Sequence, residues 1–182
     1  MIIERRENLH SDFQGTIIDI ETIGEFNRGY PPKDSRRYKD IKQVIFGYIQ
    51  NDYLQIYCAK QIEAIELLKQ KTIEIINNLQ RPFYSFNCDF ESGVWFHHLG
   101  IQVEFDGELT KEKFEKKADT VRQLKIPNYD DPFYDNGLLC MLAWNKSDLT
   151  NAIAHNRACL LKERDILIKR KSRQPDGLQF VR

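Results

Sequence analysis

An apolar, β-branched run that closes on two acids constrains this chain most. Residues Gly15 to Ile20 read GTIIDI, and Glu21-Thr22-Ile23-Gly24 follow. Four of the six residues from 15 to 20 are Thr or aliphatic, the composition of a buried strand. Side chains alternate along a strand, so Asp19 and Glu21 share one face. Two carboxylates held together at the end of a buried strand repel each other and resist leaving water. A strand that ends in water would leave both acids solvated and explain Asp-x-Glu by itself. A hard divalent cation such as Mg²⁺ or Mn²⁺ would relieve the cost of a buried pair.

The flanking segments set the architecture. Residues 25–42 are polar, with Gly29, Pro31 and Pro32, and read as a long loop. QVIFGYIQ (43–50) and YLQIYC (53–58) flank Asn51-Asp52 as a hairpin. From 61 to 79 an apolar stripe of Ile62, Ile65, Leu68, Ile73, Ile76 and Leu79 predicts a helix. Arg81-Pro82 ends it, and FYSF (83–86) reads as a further strand before a helix over 90–100. Residues 101–136 suggest a short strand, a charged helix over 110–124 and the loop PNYDDPFYDNG. Two closing helices fall at 137–147 and 149–171, the second capped by Asp148. The tail from about 172 reads as loose. Strand pairs mixed with helices argue a single α/β domain, residues 1–182, with a mixed sheet.

Charge and cysteine content narrow the classes. Lys plus Arg and Asp plus Glu both number 27, so bulk charge does not drive binding to nucleic acid, although a local basic groove is compatible with neutrality. Cys58, Cys88, Cys140 and Cys159 form no CxxC pair, which speaks against a zinc ribbon and fits free thiols in a reducing cytoplasm. MIIERRENLH lacks an apolar signal core, and no run approaches the roughly 20 apolar residues of a membrane span.

The string IIDIETIG resembles the first motif of the DEDD (DnaQ-like) exonucleases, a hydrophobic strand followed by Asp-x-Glu-Thr-x-Gly. The resemblance implies a ribonuclease-H-like fold. It makes Asp19 and Glu21 metal ligands and puts Thr22 and Ile23 beside the terminal nucleotide. The family's second motif, Asn-x-x-Phe-Asp, is similar to Asn87-Cys88-Asp89-Phe90-Glu91. Matching Asn87 and Phe90 places Glu91 at the acid position, with Asp89 as competitor, and Asn87 on the substrate side. His155-Asn156-Arg157-Ala158-Cys159-Leu160 resembles the third motif, in which the His attends the attacking water and a later Asp binds metal. Cys159 and Leu160 occupy the two places where that Asp would stand. Glu163, Asp148 and Asp135 are the substitute donors nearby in sequence.

The implied activity is Mg²⁺- or Mn²⁺-dependent 3′-5′ exonucleolytic hydrolysis of single-stranded DNA or RNA. Asp19, Glu21 and Glu91 would hold metal and His155 would act on water as a neutral imidazole. The missing carboxylate leaves two alternatives open, a nucleic-acid-binding or scaffolding domain without turnover and a phosphodiesterase of small nucleotides. Arg28, Lys33, Arg36, Arg37 and Lys39, interleaved with Tyr30 and Tyr38, are candidate phosphate and base contacts. The basic run from Lys162 to Arg173 reads mostly as a solvated helix face.

Overall fold

A computed structural model describes residues 1–182. The chain forms strands β1 (Ile2–Asn8), β2 (Thr16–Ile23), β3 (Lys42–Gln50), β4 (Tyr53–Ala59), β5 (Phe83–Ser85) and β6 (Gly107–Glu108). Its helices are α1 (Ile65–Ile76), α2 (Cys88–Val94), α3 (Lys117–Gln123), α4 (Gly137–Asn145) and α5 (Leu149–Arg170), and α2 runs on into a π turn over Trp95–Leu99. The sheet order is β1-β4-β3-β2-β5-β6. β2 pairs antiparallel with β3 and parallel with β5, so the sheet is mixed. This is the α/β, ribonuclease-H-like architecture expected: one mixed sheet with helices against it. No helix is long and apolar enough to cross a membrane.

The two faces of the sheet are built differently. On one, Phe46 and Tyr57 stack at 6.4 Å and Trp95 packs edge-on to Phe46 at 6.1 Å. Gln43 ties this face to the helices: it accepts from the Trp95 indole N–H (2.6 Å) and donates to the Thr72 hydroxyl of α1 (2.7 Å). On the other face Gly47 lies opposite Asp19 in the β2–β3 register. A Cβ at Gly47 would sit 2.2 Å from Asn156 Oδ1 and 2.8 Å from the Leu160 methyl. Glycine is therefore what lets α5 approach the sheet closely enough to act on Asp19.

Several expectations are corrected by the structure. β2 does not stop at Ile20 but continues to Ile23, with its register to β3 shifting after Glu21. β1 was not foreseen: beyond Ile2 and Ile3 it carries Glu4, Arg5, Arg6 and Glu7, a charged edge strand that shows no alternation. The charged helix over 110–124 shortens to α3, because Phe114 has φ 67° and the Glu115 carboxylate binds the Lys111 N–H and the Arg170 guanidinium. The tail is docked. Arg173 exchanges backbone hydrogen bonds with Glu108 (2.8 and 2.9 Å) and ion-pairs its carboxylate at 2.6 Å, while Val181 N–H donates to Ser35 Oγ at 2.8 Å. The run from Lys162 to Arg173 is solvated only in part: Lys169 and Lys171 are exposed, but Lys162 is fully buried, and Arg170 is bound to Glu115 and the Leu109 carbonyl.

Candidate metal centre

Four carboxylates from three elements lie near one another on one side of the central strand, where the Asp19 charge acts on the other three. Asp19 and Glu21 come from β2, Glu91 from α2 and Glu163 from α5, and all four are buried. Asn156, two helical turns before Glu163, donates from Nδ2 to Asp19 Oδ2 at 2.7 Å and to the Asp19 carbonyl at 3.3 Å. Ser85 Oγ donates to Glu91 Oε2 at 3.0 Å. Burial pushes Glu21 up to about 7, with the Asp19 charge adding to the effect. Burial and the same Asp19 charge carry Glu91 well above the usual carboxylate range. Burial first, and repulsion from Asp19 second, thus disfavour full ionisation of the cluster.

One cation already sits in it. Lys117, at the start of α3, donates from Nζ to Asp19 Oδ1 at 3.1 Å and to Glu163 Oε1 at 2.5 Å. Burial alone would lower its pKa, but Asp19, Cys159 and Glu163 outweigh that and raise it well above the ordinary lysine value. Glu163 Oε2 is fully buried and accepts no hydrogen bond. An orphaned carboxylate oxygen is costly, and with the hard oxygen set around it the cluster fits Mg²⁺ or Mn²⁺ as an additional cation or in place of the ammonium.

His155 faces the same cluster from α5. Its Nδ1 bonds Asp131 Oδ1 at 2.7 Å, so Nε2 is turned toward Glu21 Oε1 and Cys159 Sγ, each 3.7 Å away. Burial would lower His155, but the Glu21 and Cys159 charges and the Asp131 hydrogen bond push it up to about 12. Without metal, Glu21 and Asp131 favour the protonated ring over the neutral base expected from the sequence. Asp131 is in turn held by Lys162 Nζ at 2.7 Å, and Lys162 also reaches Asp135 Oδ1 at 2.8 Å.

The remaining sequence candidates fall around this centre. Asp89 is half-buried and lies beside Asn87, Glu108, Thr110 and Lys113, away from Asp19. Asp148 caps α5 through the Asn151 N–H, and Asp135 is engaged by Lys162. Asn87 is exposed at the start of α2 and makes no side-chain cap. Glu21 and Thr22 line a cleft of about 730 Å³ with Phe26, Arg28, Phe90 and Met141, and half-buried Ile23 follows them on β2. Of the basic loop, Arg28 reaches this cleft. Arg36 pairs with Asp34 at 2.6 Å, Arg37 lies over Phe26, and Tyr38 is buried against Phe26 and Phe90.

Lys117, Asp131 and Lys162 escaped sequence reasoning. Lys117 sits in the charged run KEKFEKKAD, where nothing distinguishes it from its neighbours. Asp131 and Lys162 are 31 residues apart, and their pairing has no local signature.

The separation of Glu91 and Asp89 gives a direct test. Glu91→Gln should weaken Mn²⁺ binding, read by calorimetry, by at least about tenfold, roughly 1.4 kcal/mol, while Asp89→Asn leaves it unchanged. A larger loss in Asp89→Asn would move the second acid by two residues.

Comparison with protein-family models, curated proteins and solved structures finds no match for the chain.

Proposed function

We propose that this protein is a divalent-metal-dependent phosphodiesterase of the exonuclease kind, acting on the 3′ ends of single-stranded DNA or RNA. The grouping of buried Asp19, Glu21, Glu91 and Glu163, with Glu21 on the wall of an open cleft, carries the reading. Glu163 supplies the fourth carboxylate that the third motif lacks, one turn beyond Cys159 on the same face of α5. Mg²⁺ or Mn²⁺ held by these acids would activate water and stabilise the leaving oxygen in an in-line displacement.

The chain's own groups do the rest. Asn156 fixes the Asp19 carboxylate, and Ser85 fixes Glu91. Asp131 fixes the His155 ring so that Nε2 addresses the Glu21 side, where it would hold a water by hydrogen bond. The cleft volume lies in the range of small-ligand pockets, roughly 300–1,000 Å³. Phe26 and Phe90 offer faces for unpaired bases, and Arg28 a charge for phosphate.

A second reading is favoured by one observation. The Lys117 ammonium between Asp19 and Glu163 would serve a domain that binds nucleic-acid ends without turnover, its cluster neutralised from within.

Hydrolysis of end-labelled single-stranded oligonucleotides with Mg²⁺ or Mn²⁺ separates the two. Asp19→Ala should lower the rate by about 100-fold or more, since charge stabilisation by metal is worth several kcal/mol, in protein that a thermal unfolding transition shows to be still folded. Wild-type protein that binds the oligonucleotide but releases no nucleotide under either metal would support the second reading and remove the first.

A further inference from the structure

We propose that Glu21, His155 and Cys159 form a second kind of metal site, one that takes a borderline-soft transition ion such as Zn²⁺ or Co²⁺ and not Mg²⁺. One atom from each of the three buried residues lies within 4.8 Å of the others. His155 Nε2 is 3.7 Å from Glu21 Oε1 and 3.7 Å from Cys159 Sγ. The first separation is too long for a hydrogen bond and the second makes only a weak one. Both are close to the edges of a coordination tetrahedron. With metal–nitrogen and metal–oxygen distances of about 2.0–2.2 Å and metal–sulfur of about 2.3 Å, tetrahedral angles put nitrogen and sulfur about 3.6 Å apart and nitrogen and oxygen about 3.4 Å apart.

The surroundings of His155 point the same way. A metal-bound imidazole is usually oriented by a carboxylate on its other nitrogen, which fixes the ring and its tautomer. Asp131 does this at 2.7 Å, and is itself anchored by Lys162 and by the backbone N–H groups of Phe133 and Asp135. Nε2 is thereby committed to the Glu21–Cys159 side. A thiolate and an imidazole select for ions later in the first transition row, whereas Mg²⁺ prefers oxygen alone. Glu21 also lines the cleft, so three protein ligands would leave a fourth position on the open side, as catalytic zinc sites do.

The other convergent group, Asp131, Asp135 and Cys159, is a weaker candidate. Lys162 already lies 2.7 and 2.8 Å from its two carboxylates. Lys117 plays that part for Asp19 and Glu163 and hydrogen-bonds none of the three proposed ligands.

The site shares Glu21 with the proposed phosphodiesterase centre but does not require turnover, and a spectroscopic test keeps the two apart. Chelator-treated protein titrated with Co²⁺ should develop a near-ultraviolet thiolate-to-cobalt charge-transfer band together with intense four-coordinate visible bands. Stoichiometric Zn²⁺ should abolish both and excess Mg²⁺ should not. Coordination releases the Cys159 thiol proton and the His155 Nε2 proton to solvent. Cys159→Ser, close in shape, should lose the ultraviolet band, and Cys140→Ser, altering the other thiol near Glu21, should keep it. Wild-type protein without a charge-transfer band overturns the assignment however the variants behave. So does a band that survives Cys159→Ser, or one that disappears only in Cys140→Ser. Nuclease assays have no bearing on these outcomes: an inactive protein with the cobalt band keeps the site and loses the phosphodiesterase reading, and an active protein without the band does the reverse.

Discussion

Asp131→Ala should lower unfolding free energy by about 3–5 kcal/mol at neutral pH, the cost of leaving a buried ion without its partner. Asp131 is wrapped by cations and donors: Lys162 Nζ and His155 Nδ1 each at 2.7 Å, and the Phe133 and Asp135 N–H groups at 2.9 and 2.8 Å. Its removal leaves the fully buried Lys162 with Asp135 and Asn128 alone, and leaves His155 Nδ1 without its hydrogen-bond partner. For a chain of this length the loss corresponds to roughly 6–20 °C in Tm. The sign with pH follows from the carboxyl itself. Burial would raise it, but the hydrogen bonds from His155 and Lys162 outweigh that and hold it well below the usual range. A group depressed in the folded state stabilises fully above its unfolded pKa, near 4, and loses that contribution as pH falls toward the folded value. The gap between wild type and Asp131→Ala should therefore be widest at neutral pH and narrow below about pH 4. Denaturant unfolding at several pH values reads it. A gap under about 1 kcal/mol, the worth of an exposed ion pair, would show that this network is not the internal support for His155 described above.

The parts of the fold legible in the sequence are those with local signatures. The β3–β4 hairpin, the stripe of α1, the break at Arg81-Pro82 and the Asp148 cap of α5 all follow from periodicity or a single punctuating residue. β1 was illegible because an edge strand needs charge on its exposed face, and that charge erases the alternation that marks a strand. The site divides the same way. Asp19 and Glu21 announce themselves by position on a buried strand, and the Asn87–Phe90 frame puts Glu91, not Asp89, beside them. Glu163 was visible only as a substitute donor. What places it is the close approach of α5 over Gly47, a tertiary fact that no local spacing encodes. The basic run on α5 misled for a related reason. Lys162 reads as a solvated residue until the acids of the 128–135 loop fold over it.

Lys117→Met should raise Mn²⁺ affinity at least tenfold, about 1.4 kcal/mol, while making the metal-free protein less stable. Lys117 Nζ lies between Asp19 Oδ1 and Glu163 Oε1, where a metal bridging those acids would have to bind. Two unit charges about 4 Å apart in a partly buried site repel by about 4 kcal/mol at an effective dielectric of 20, so a divalent ion must pull the ammonium out or coexist with it at a steep cost. Methionine keeps the aliphatic length of the lysine stem and removes the charge. Its metal-free form leaves Glu163 with neither oxygen paired and Asp19 with Asn156 alone, which is why the variant should unfold more easily in chelator. Added Mn²⁺ should then stabilise it more than it stabilises wild type, through binding to the folded state only. Lys117→Arg, which keeps the cation, should show neither effect. Isothermal titration and thermal unfolding with and without Mn²⁺ supply the comparison. Unchanged or weaker Mn²⁺ binding in Lys117→Met would mean that the ammonium does not stand where a metal would. Tighter binding accompanied by a gain in oligonucleotide hydrolysis would make Lys117 a brake on a working centre. Tighter binding with no hydrolysis would make the acid cluster the remnant of one, in a domain that holds nucleic-acid ends without cutting them.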